Sequence, residues 1–401
     1  MISCEYKQDK ALRKETMTRQ NSRKRILILT NHSYMLWQFR RELIIELLSE
    51  HTVYLCMPYV GHEDDFKQLG AKCVQIDLDR RSKNPFKDLK LLTTYRSVIR
   101  KVQPDLVITY SIKPNIYGGV ACQLCNIPYY ANVQGLGTAF QGRRLAHFAA
   151  IMYRHGLRKA VRVFFENAGN AAEFSERGIV EPDRQIILNG AGVNLEYFSY
   201  SPYPENDCFH FLYLGRIMKE KGIDELFEAA GRLWNDYTSA VEGHGPEGIE
   251  NRSFVLDVVG FFEEPYEEQV RELEEKGIIR FHGFRTDPRP YYKMADCIVM
   301  PSYHEGMSNV NLEAAAVGRP VITTDIPGCR EAVDDGVTGL LCRKKDADSL
   351  YSCMKQMLRI QPSERQDMGR RARQKAEAEF NRRDIVKLTV RTLFDNPEED
   401  S

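Results

Sequence analysis

The chain has 401 residues, of which 43% are hydrophobic and 28% charged, and its formal net charge is zero. Its length allows two domains, and the balanced charge argues against a nucleic acid partner because no overall field would attract one. Its apolar runs are shorter than the roughly 18 residues of a membrane-spanning helix, and the first residues show no apolar signal-peptide core. The ten cysteines are scattered, so reduced thiols and a cytoplasmic location are expected.

Residues 1–24 form the first distinct segment. They are rich in Lys, Arg and Gln and show no apolar periodicity, so they are expected to lie outside the fold as a basic extension. Two interpretations are open for this extension: a disordered tail, or an electrostatic tether to anionic lipid. Ordered structure is expected to begin at Arg25.

Strand and helix patterns alternate over residues 25–200. Strands are predicted at 26–30, 53–57, 73–77, 105–110, 129–133 and 161–165. Helices are predicted between them at 39–48, 64–69, 85–102, 116–125 and 143–158. Most of the strands are continuous apolar runs, which is typical of parallel strands covered on both faces. A Rossmann-like domain is therefore expected over residues 25–200.

A second domain is expected after the segment SYSPYPEND at 199–207, whose prolines and polar residues mark a boundary. The strand pattern restarts at 209–216 and continues near 255–259, 279–282, 297–300 and 321–324. Residues 208–378 should therefore form a second Rossmann-like domain. The last segment, 379–401, is expected to hold a helix that can return to the first domain, followed by an acidic tail.

The stretch 301–341 carries the clearest chemical signal. An apolar strand ends at Pro301, a polar loop contains Glu305, and Ser308 or Asn309 can cap the helix that follows. A second carboxylate, Glu313, lies about one turn into this helix. Open α/β sheets bind ligands at the carboxyl ends of their strands, and helix N-termini suit phosphates. The loop could thus hold a diphosphate and sugar hydroxyls together.

The segment GRIMKEKG at 215–222 follows the first strand of the second domain and supplies Arg216 and Lys221. Two fixed cations can stabilise the charge that gathers on a diphosphate leaving group. Taken alone, such residues are commonly surface residues, but their place beside the carboxylate loop favours a donor site. Arg285, in the turn after another strand, is placed to flank a nucleotide base.

Two polar loops leave strands of the first domain and are candidates for an acceptor-binding edge. TYSIKPNIYG at 109–118 carries Lys113 and Asn115, and NVQGLGTAFQGRR at 132–144 carries Gly135, Gly137 and Thr138. Either loop can be purely structural. Two such loops at the ends of consecutive strands favour binding, because the ends of parallel strands meet at one sheet edge.

Three further features carry weaker signals. His32, after the first strand, could contact the donor or the acceptor. GHGPEG at 243–248 matches G-x-G-x-x-G, but it neither follows a strand nor opens a helix, which argues against a dinucleotide site. Cys122 and Cys125 form a C-x-x-C pair inside a predicted helix, where packing is expected rather than metal or redox chemistry.

With these features together, the chain resembles a known family. HEGMSNVNLEAAAVGRPVITTDIPGCREAV at 304–333 and GRIMKEKG at 215–222 are similar, in order and spacing, to the signatures of retaining glycosyltransferases of family four. That family has the GT-B fold, an α/β class in which two Rossmann-like domains face each other across a cleft. The first-domain loops resemble those of the bacterial branch that builds capsule, O-antigen or lipid-linked glycans.

The resemblance implies a role for each matching residue. Catalytic roles fall to Arg216 and Lys221, on the donor diphosphate, and to Glu305, on the donor-sugar hydroxyls, while Glu313 would bind the ribose. The remaining donor contacts would come from Gly215, Arg285, Gly306, Met307, Ser308 and Asn309. The acceptor side departs from the family pattern: Asn31-His32-Ser33 replaces a common Gly-Gly loop, and Ile112 stands where a lipid-linked relative has His.

The implied reaction is retaining transfer of a hexose or N-acetylhexosamine from a nucleotide-sugar, expected to be a UDP-sugar, to a glycan acceptor on a lipid diphosphate. No metal or other cofactor is expected, since the charges of Arg216 and Lys221 would take the place of a divalent ion. A location at the inner face of the membrane would suit such an acceptor. The segment 145–165 is either an amphipathic surface that contacts anionic lipid or a buried core helix. The alternatives are a nucleotide-sugar 2-epimerase and a noncatalytic sugar-nucleotide-binding relative.

Overall fold

The computed structural model describes residues 23–79, 84–136, 140, 143–241 and 253–394. Four parts of the predictions lie outside these ranges: residues 1–22, the predicted acceptor residues Gly137 and Thr138, the GHGPEG motif, and the acidic tail from residue 395 onwards. Within them the chain forms one seven-stranded and one six-stranded sheet, and the paired strands run parallel. The predicted class, two Rossmann-like domains of the α/β type, is confirmed.

The first sheet has the strand order β3-β2-β1-β4-β5-β6-β7. Its strands are β1 (Arg25–Leu29), β2 (Thr52–Met57), β3 (Lys72–Gln75), β4 (Leu106–Tyr110), β5 (Tyr129–Val133), β6 (Val163–Phe165) and β7 (Gln185–Ile187). The central strands β1, β4 and β5 are buried almost throughout, which explains their continuous apolar runs. The short edge strand β7 was not predicted, because three residues carry too little pattern to stand out from a loop.

Helices cover both faces of the first sheet. They are α1 (Ser33–Glu50), α2 (Glu63–Gln68), α3 (Pro85–Val102), α4 (Gly119–Cys125), α5 (Arg143–Leu157) and α6 (Ala168–Glu176), with a π-helix (Pro114–Gly118) before α4. The first helix begins at Ser33 rather than near residue 39, because His32 caps it: the His32 Nδ1 accepts a hydrogen bond from the Met35 amide at 3.4 Å. The β1–α1 loop is correspondingly short.

The second sheet has the strand order β10-β9-β8-β11-β12-β13. Its strands are β8 (Phe209–Leu214), β9 (Phe254–Val259), β10 (Ile279–Gly283), β11 (Cys297–Met300), β12 (Val321–Thr324) and β13 (Gly339–Cys342). The helices that follow are α7 (Ile223–Val241), α8 (Glu267–Glu275), α9 (Arg289–Met294), α10 (Asn309–Val317), α11 (Ala347–Arg359) and α12 (Pro362–Glu379). The unpredicted strand β13 completes the sheet.

The chain crosses between the domains twice, and the two crossings are hydrogen-bonded to each other. The Val193 amide donates to the Phe380 carbonyl at 2.7 Å, and the Arg382 amide donates to the Val193 carbonyl at 3.0 Å. After the second crossing, the last helix α13 (Arg382–Phe394) buries Leu393 in the core of the first domain. The Arg382 guanidinium also reaches Glu42 on α1 at 3.3 Å. The paired crossings therefore bury Val193 and Phe380 in the core of the second domain, while Arg382 and α13 contact the first domain.

The strand order reverses at one place in each sheet, between β1 and β4 in the first and between β8 and β11 in the second. At such a point the two connections leave toward opposite faces, so a crevice opens at the carboxyl ends of the strands. The loops after β8 and β11 carry the predicted donor-site residues. The loops after β1 and β4 occupy the equivalent place in the first domain.

Candidate active site

A lysine–glutamate pair occupies the crevice of the second domain. Lys221 ends a 3₁₀ turn (Lys219–Lys221), and its Nζ lies 2.5 Å from Oε1 of Glu305 in the β11–α10 loop. Gly222 permits this approach, because its φ is +74° and a Cβ there would collide with the Pro301 carbonyl oxygen. Both charged side chains are about one-sixth exposed, at 17% and 15%. The predicted cation and carboxylate are thus brought into direct contact.

Arg216 lies at the same crevice with its side chain directed toward solvent. It follows Gly215 at the end of β8, and the Tyr213 hydroxyl donates to its backbone carbonyl at 2.7 Å. Its side chain is 45% exposed, and its guanidinium lies 3.8 Å from Glu263. This side chain is therefore accessible to a ligand, while its backbone is held by the strand end.

Protein groups already satisfy hydrogen-bonding positions at the start of helix α10. The Ser308 Oγ accepts a hydrogen bond from the Asn311 amide at 3.4 Å, and the Ser308 amide donates to the Gly328 carbonyl at 2.7 Å. This amide is therefore not available to a donor phosphate, contrary to the expectation from the sequence. Met307 is buried against Gly190, where a Cβ would lie 2.5 Å from the Met307 side chain. Asn309 begins the helix and is half-buried.

Glu313 projects from α10 at a largely buried position beside Tyr292. The Tyr292 hydroxyl donates to its Oε2 at 2.8 Å. Burial raises the pKa of Glu313 to about 7, although the Tyr292 hydrogen bond and the Arg382 charge act to lower it. A carboxylate in this state gains from further hydrogen-bond donors, which the hydroxyls of a ribose would supply. Arg285, by contrast, is exposed in the loop after β10.

The loop after β11, which carries Glu305, is packed against the first domain at Gly306. A Cβ at this position would collide with the Gln134 carbonyl oxygen, and one at Gly135 would lie 3.4 Å from Gly306. Asn167 Nδ2 donates a short hydrogen bond to the Gly306 carbonyl, while Asn167 Oδ1 caps helix α6 by accepting from the Asn170 amide at 2.7 Å. The absence of a side chain at Gly306 thus lets the loop after β11 meet the loops after β5 and β6.

Glu166 stands beside this contact and was not singled out from the sequence. Burial raises its pKa to about 7, while Arg40, whose Nη2 lies 2.7 Å from its Oε1, acts to lower it. A Cβ at Gly306 would lie 2.9 Å from the other oxygen of Glu166. The sequence signal, a charged residue directly after the apolar strand β6, was present but is common at strand ends.

Two predicted acceptor residues have structural roles instead. Lys113 Nζ pairs with Asp88 of helix α3 at 2.8 Å, so its charge is directed to α3. Asn115 is fully buried: its Oδ1 accepts from the Thr109 hydroxyl at 2.6 Å and its Nδ2 donates to the Asn132 carbonyl at 2.8 Å. The expectation that Asn115 faces the acceptor is wrong, because the π-helix turns its side chain under the sheet edge.

The remaining sequence features have clear places. His32 caps α1 at the carboxyl end of β1, and Cys122 is buried within α4, where burial raises the pKa of its thiol. Within the described ranges, no group of three or more His, Cys, Asp or Glu side chains is arranged to hold a metal ion. No helix in those ranges is long and apolar enough to cross a membrane.

Comparisons with known proteins agree with this architecture. The sequence model described as "Glycosyl transferases group 1" matches residues 203–375, and the model described as "Glycosyl transferase 4-like" matches residues 25–167. The chain is 26% identical over 346 residues to the N,N'-diacetylbacillosaminyl-diphospho-undecaprenol alpha-1,3-N-acetylgalactosaminyltransferase of Campylobacter jejuni, which covers 81% of this chain and 87% of that protein. It is 28% identical to the capsular polysaccharide biosynthesis glycosyltransferase CapM of Staphylococcus aureus, over 44% of this chain and 43% of that one.

Solved structures show the same fold at low sequence identity. HepE of Anabaena, crystallised with UDP and glucose, superposes with a TM-score of 0.72 at 16% identity, over 92% of this chain and 99% of that chain. A glycosyltransferase from Rickettsia africae superposes with a TM-score of 0.71 at 18% identity, over 93% of this chain and all of that chain. The matched motifs, the two matched domains and the shared fold lead to one conclusion. The chain belongs to the family-four glycosyltransferases of the GT-B fold.

Proposed function

We propose that the protein is a retaining glycosyltransferase that moves a hexose or N-acetylhexosamine from a nucleotide-sugar, a UDP-sugar in particular, to a glycan acceptor carried on a lipid diphosphate. The observation that carries this proposal is the contact between Lys221 and Glu305 at 2.5 Å in the crevice between β8 and β11. It joins a cation suited to the diphosphate and a carboxylate suited to the sugar hydroxyls. The curated relative from Campylobacter jejuni, whose name gives a diphospho-undecaprenol acceptor, supports the acceptor class.

In the proposed reaction, the bond between the anomeric carbon and the donor diphosphate breaks while a bond from that carbon to the acceptor oxygen forms on the same face. The proton of the acceptor hydroxyl passes to the departing diphosphate, so the charges balance without a protein base. Lys221 and Arg216 stabilise the negative charge on the leaving group, and Glu305 orients the sugar through its hydroxyls. These two cations take the place of a divalent metal ion in the proposal.

The donor must compete with the ion pair that Lys221 and Glu305 form with each other. Lys221 is already neutralised by Glu305, so a diphosphate gains its full attraction only when Lys221 turns toward it. Glu305 is then released to accept hydrogen bonds from the sugar. A nucleotide-sugar offers a diphosphate to Lys221 and sugar hydroxyls to Glu305, so both side chains gain a new partner when their ion pair breaks. A free diphosphate offers a new partner to Lys221 alone.

The test is transfer of labelled sugar from UDP-sugars to monosaccharides linked to a polyprenyl diphosphate. The Lys221→Ala variant should lower kcat roughly 100- to 1000-fold, as for loss of one charge-stabilising group. Lys219→Ala is a matched control, because Lys219 lies on the same 3₁₀ turn and its Nζ is 3.4 Å from Asp224. Equal turnover by Lys221→Ala and the wild type would refute the site assignment, and retention is checked from the anomeric configuration of the product.

Contact with an anionic membrane surface is part of the proposal. Helices α3 and α5 expose apolar side chains in their first two turns, with Phe86 at 82% and Phe148 at 60% exposure. Lys87, beside Phe86, is exposed and pairs with Asp79 at 3.0 Å. Both helices follow strands of the first sheet, on the edge that would receive a lipid-linked acceptor. The wild type should float with vesicles that contain anionic lipid, and Phe86→Ser/Phe148→Ser should float less. Equal flotation of both proteins would contradict this surface.

A further inference from the structure

Three polar side chains meet across the point where the strand order of the first sheet reverses. Asn31 follows β1, Ser111 follows β4 and Gln134 follows β5, and these three strands are neighbours in the sheet. The Ser111 Oγ lies 3.0 Å from the Asn31 Oδ1 and 3.1 Å from the Gln134 Oε1. All three side chains are half-buried, so each keeps a surface open to solvent. The place is the crevice in which open α/β sheets bind ligands.

The backbone at Ser111 is held in a conformation that side chains rarely adopt. Its φ is +77°, in the left-handed region, where a residue other than glycine is strained. The backbone N–H of Asn115 donates a hydrogen bond to the Ser111 carbonyl at 2.9 Å and helps to hold this conformation. The strained backbone directs the hydroxyl between the loops of β1 and β5. Glycine would adopt the same backbone at lower cost, but it would supply no hydroxyl.

The three side chains have more hydrogen-bonding capacity than they use on one another. One serine hydroxyl has a single proton, so it can donate to Asn31 or to Gln134 but not fully to both. The two amide groups together offer four N–H donors and two carbonyl oxygens. A sugar hydroxyl, which both donates and accepts, is complementary to this set.

The loop after β11, which carries Glu305 and Gly306, lies directly beside these residues. The backbone carbonyl of Gln134 is the group against which Gly306 packs, and Glu305 precedes Gly306 in the loop. A hydroxyl bound by Gln134 and Ser111 would therefore lie next to the proposed position of the donor sugar. In the loop after β4, the Lys113 side chain is instead paired with Asp88, and the Asn115 side chain donates to the Asn132 carbonyl.

We propose that Asn31, Ser111 and Gln134 bind the attacking hydroxyl of the sugar acceptor. This inference rests on the proposed glycosyl transfer and names the part of the first domain that recognises the acceptor. The three side chains orient the oxygen by hydrogen bonds and do not take its proton, which passes to the diphosphate as described above. Ser111 supplies the central contact because it touches both amide side chains.

Two variants of Ser111 distinguish the effect of its hydroxyl group on acceptor turnover from the effect of its strained backbone. Ser111→Ala keeps the Cβ and its strain, whereas Ser111→Gly relieves the strain, and both remove the hydroxyl. Each should lower kcat/KM for the acceptor about tenfold or more, while Kd for UDP stays within about twofold of the wild type. Ser352→Ala, on α11, is the control: it also removes a serine hydroxyl that donates a hydrogen bond, at 2.8 Å to Asp348. Thermal unfolding of all variants shows that they fold.

Acceptor kcat/KM within twofold of the wild type in Ser111→Ala would overturn the inference. A loss in Ser111→Ala that Ser111→Gly restores would also overturn it, because the backbone conformation would then be responsible. If the wild type binds no UDP and transfers to no acceptor, the proposed function itself fails. In that case saturation-transfer NMR with methyl glycosides tests the site directly: signals that Ser111→Ala abolishes support it, and no signal with the wild type refutes it.

Discussion

The titration of Glu313 gives a prediction that links its burial to stability. The pKa of this carboxyl is raised from 4.5 to about 7 by burial, so the folded chain binds an extra proton between these pH values. Its stabilising contribution is therefore complete below about pH 4.5 and is lost as the pH rises through about 7. A difference of about 2.5 pKa units corresponds to at most about 3.4 kcal/mol, of which about 1.4 kcal/mol is lost between about pH 6 and pH 8.5.

The Glu313→Gln variant removes this titration and keeps a group that can accept the Tyr292 hydrogen bond. Its urea unfolding midpoint, relative to the wild type, should therefore rise between about pH 6 and pH 8.5. Glu275→Gln, on the exposed surface of α8, is the control and should show no such rise. Because each variant is compared with the wild type at the same pH, the contributions of other titrating groups, including Glu166, cancel in the difference between the midpoints. A Glu313→Gln midpoint that follows the wild type at both pH values would refute the burial argument.

Two further predictions concern backbone and domain contacts at the site. Asn167→Asp keeps the cap of α6 but replaces the buried N–H donor to the Gly306 carbonyl by an acceptor, so transfer should fall about tenfold and the thermal unfolding temperature should fall as well. Asn84→Asp, at the cap of α3, is the matched control, and equal activity of the two variants would contradict this contact. Gly222→Ala should weaken UDP binding at least tenfold by calorimetry, because its φ is +74° and its Cβ would meet Pro301, and unchanged affinity would refute this.

The overall architecture was predictable because the pattern that specifies it is local. Strand β5 was predicted at its observed residues, and β1, β2 and β4 within one residue at each end, since buried parallel strands are continuous apolar runs. The edge strands β7 and β13 were missed, because three or four residues give little pattern. The first helix was predicted too short, since its cap by His32 depends on geometry that apolar periodicity does not report.

The donor site was more predictable than the acceptor site. Its predicted carboxylate and cation, Glu305 and Lys221, lie in short motifs beside two strands of one sheet, and the structure brings them into contact. Roles for the donor residues in binding and catalysis stay predictions. On the acceptor side, Lys113 and Asn115 were chosen because they are polar and follow β4, yet Asp88 and the sheet interior engage them. Ser111, nearest the strand end, carried no distinguishing sequence signal.

The sequence by itself determined two parallel α/β domains and the motifs that hold Lys221 and Glu305, because both depend on residues close together along the chain. Only the tertiary structure decided which side chains face the cleft. The direction of Ser111 depends on a left-handed backbone, and the contact of Gly306 with Gln134 joins residues far apart in sequence. Such directions follow from dihedral angles and long-range packing, which residue type and spacing along the chain do not specify.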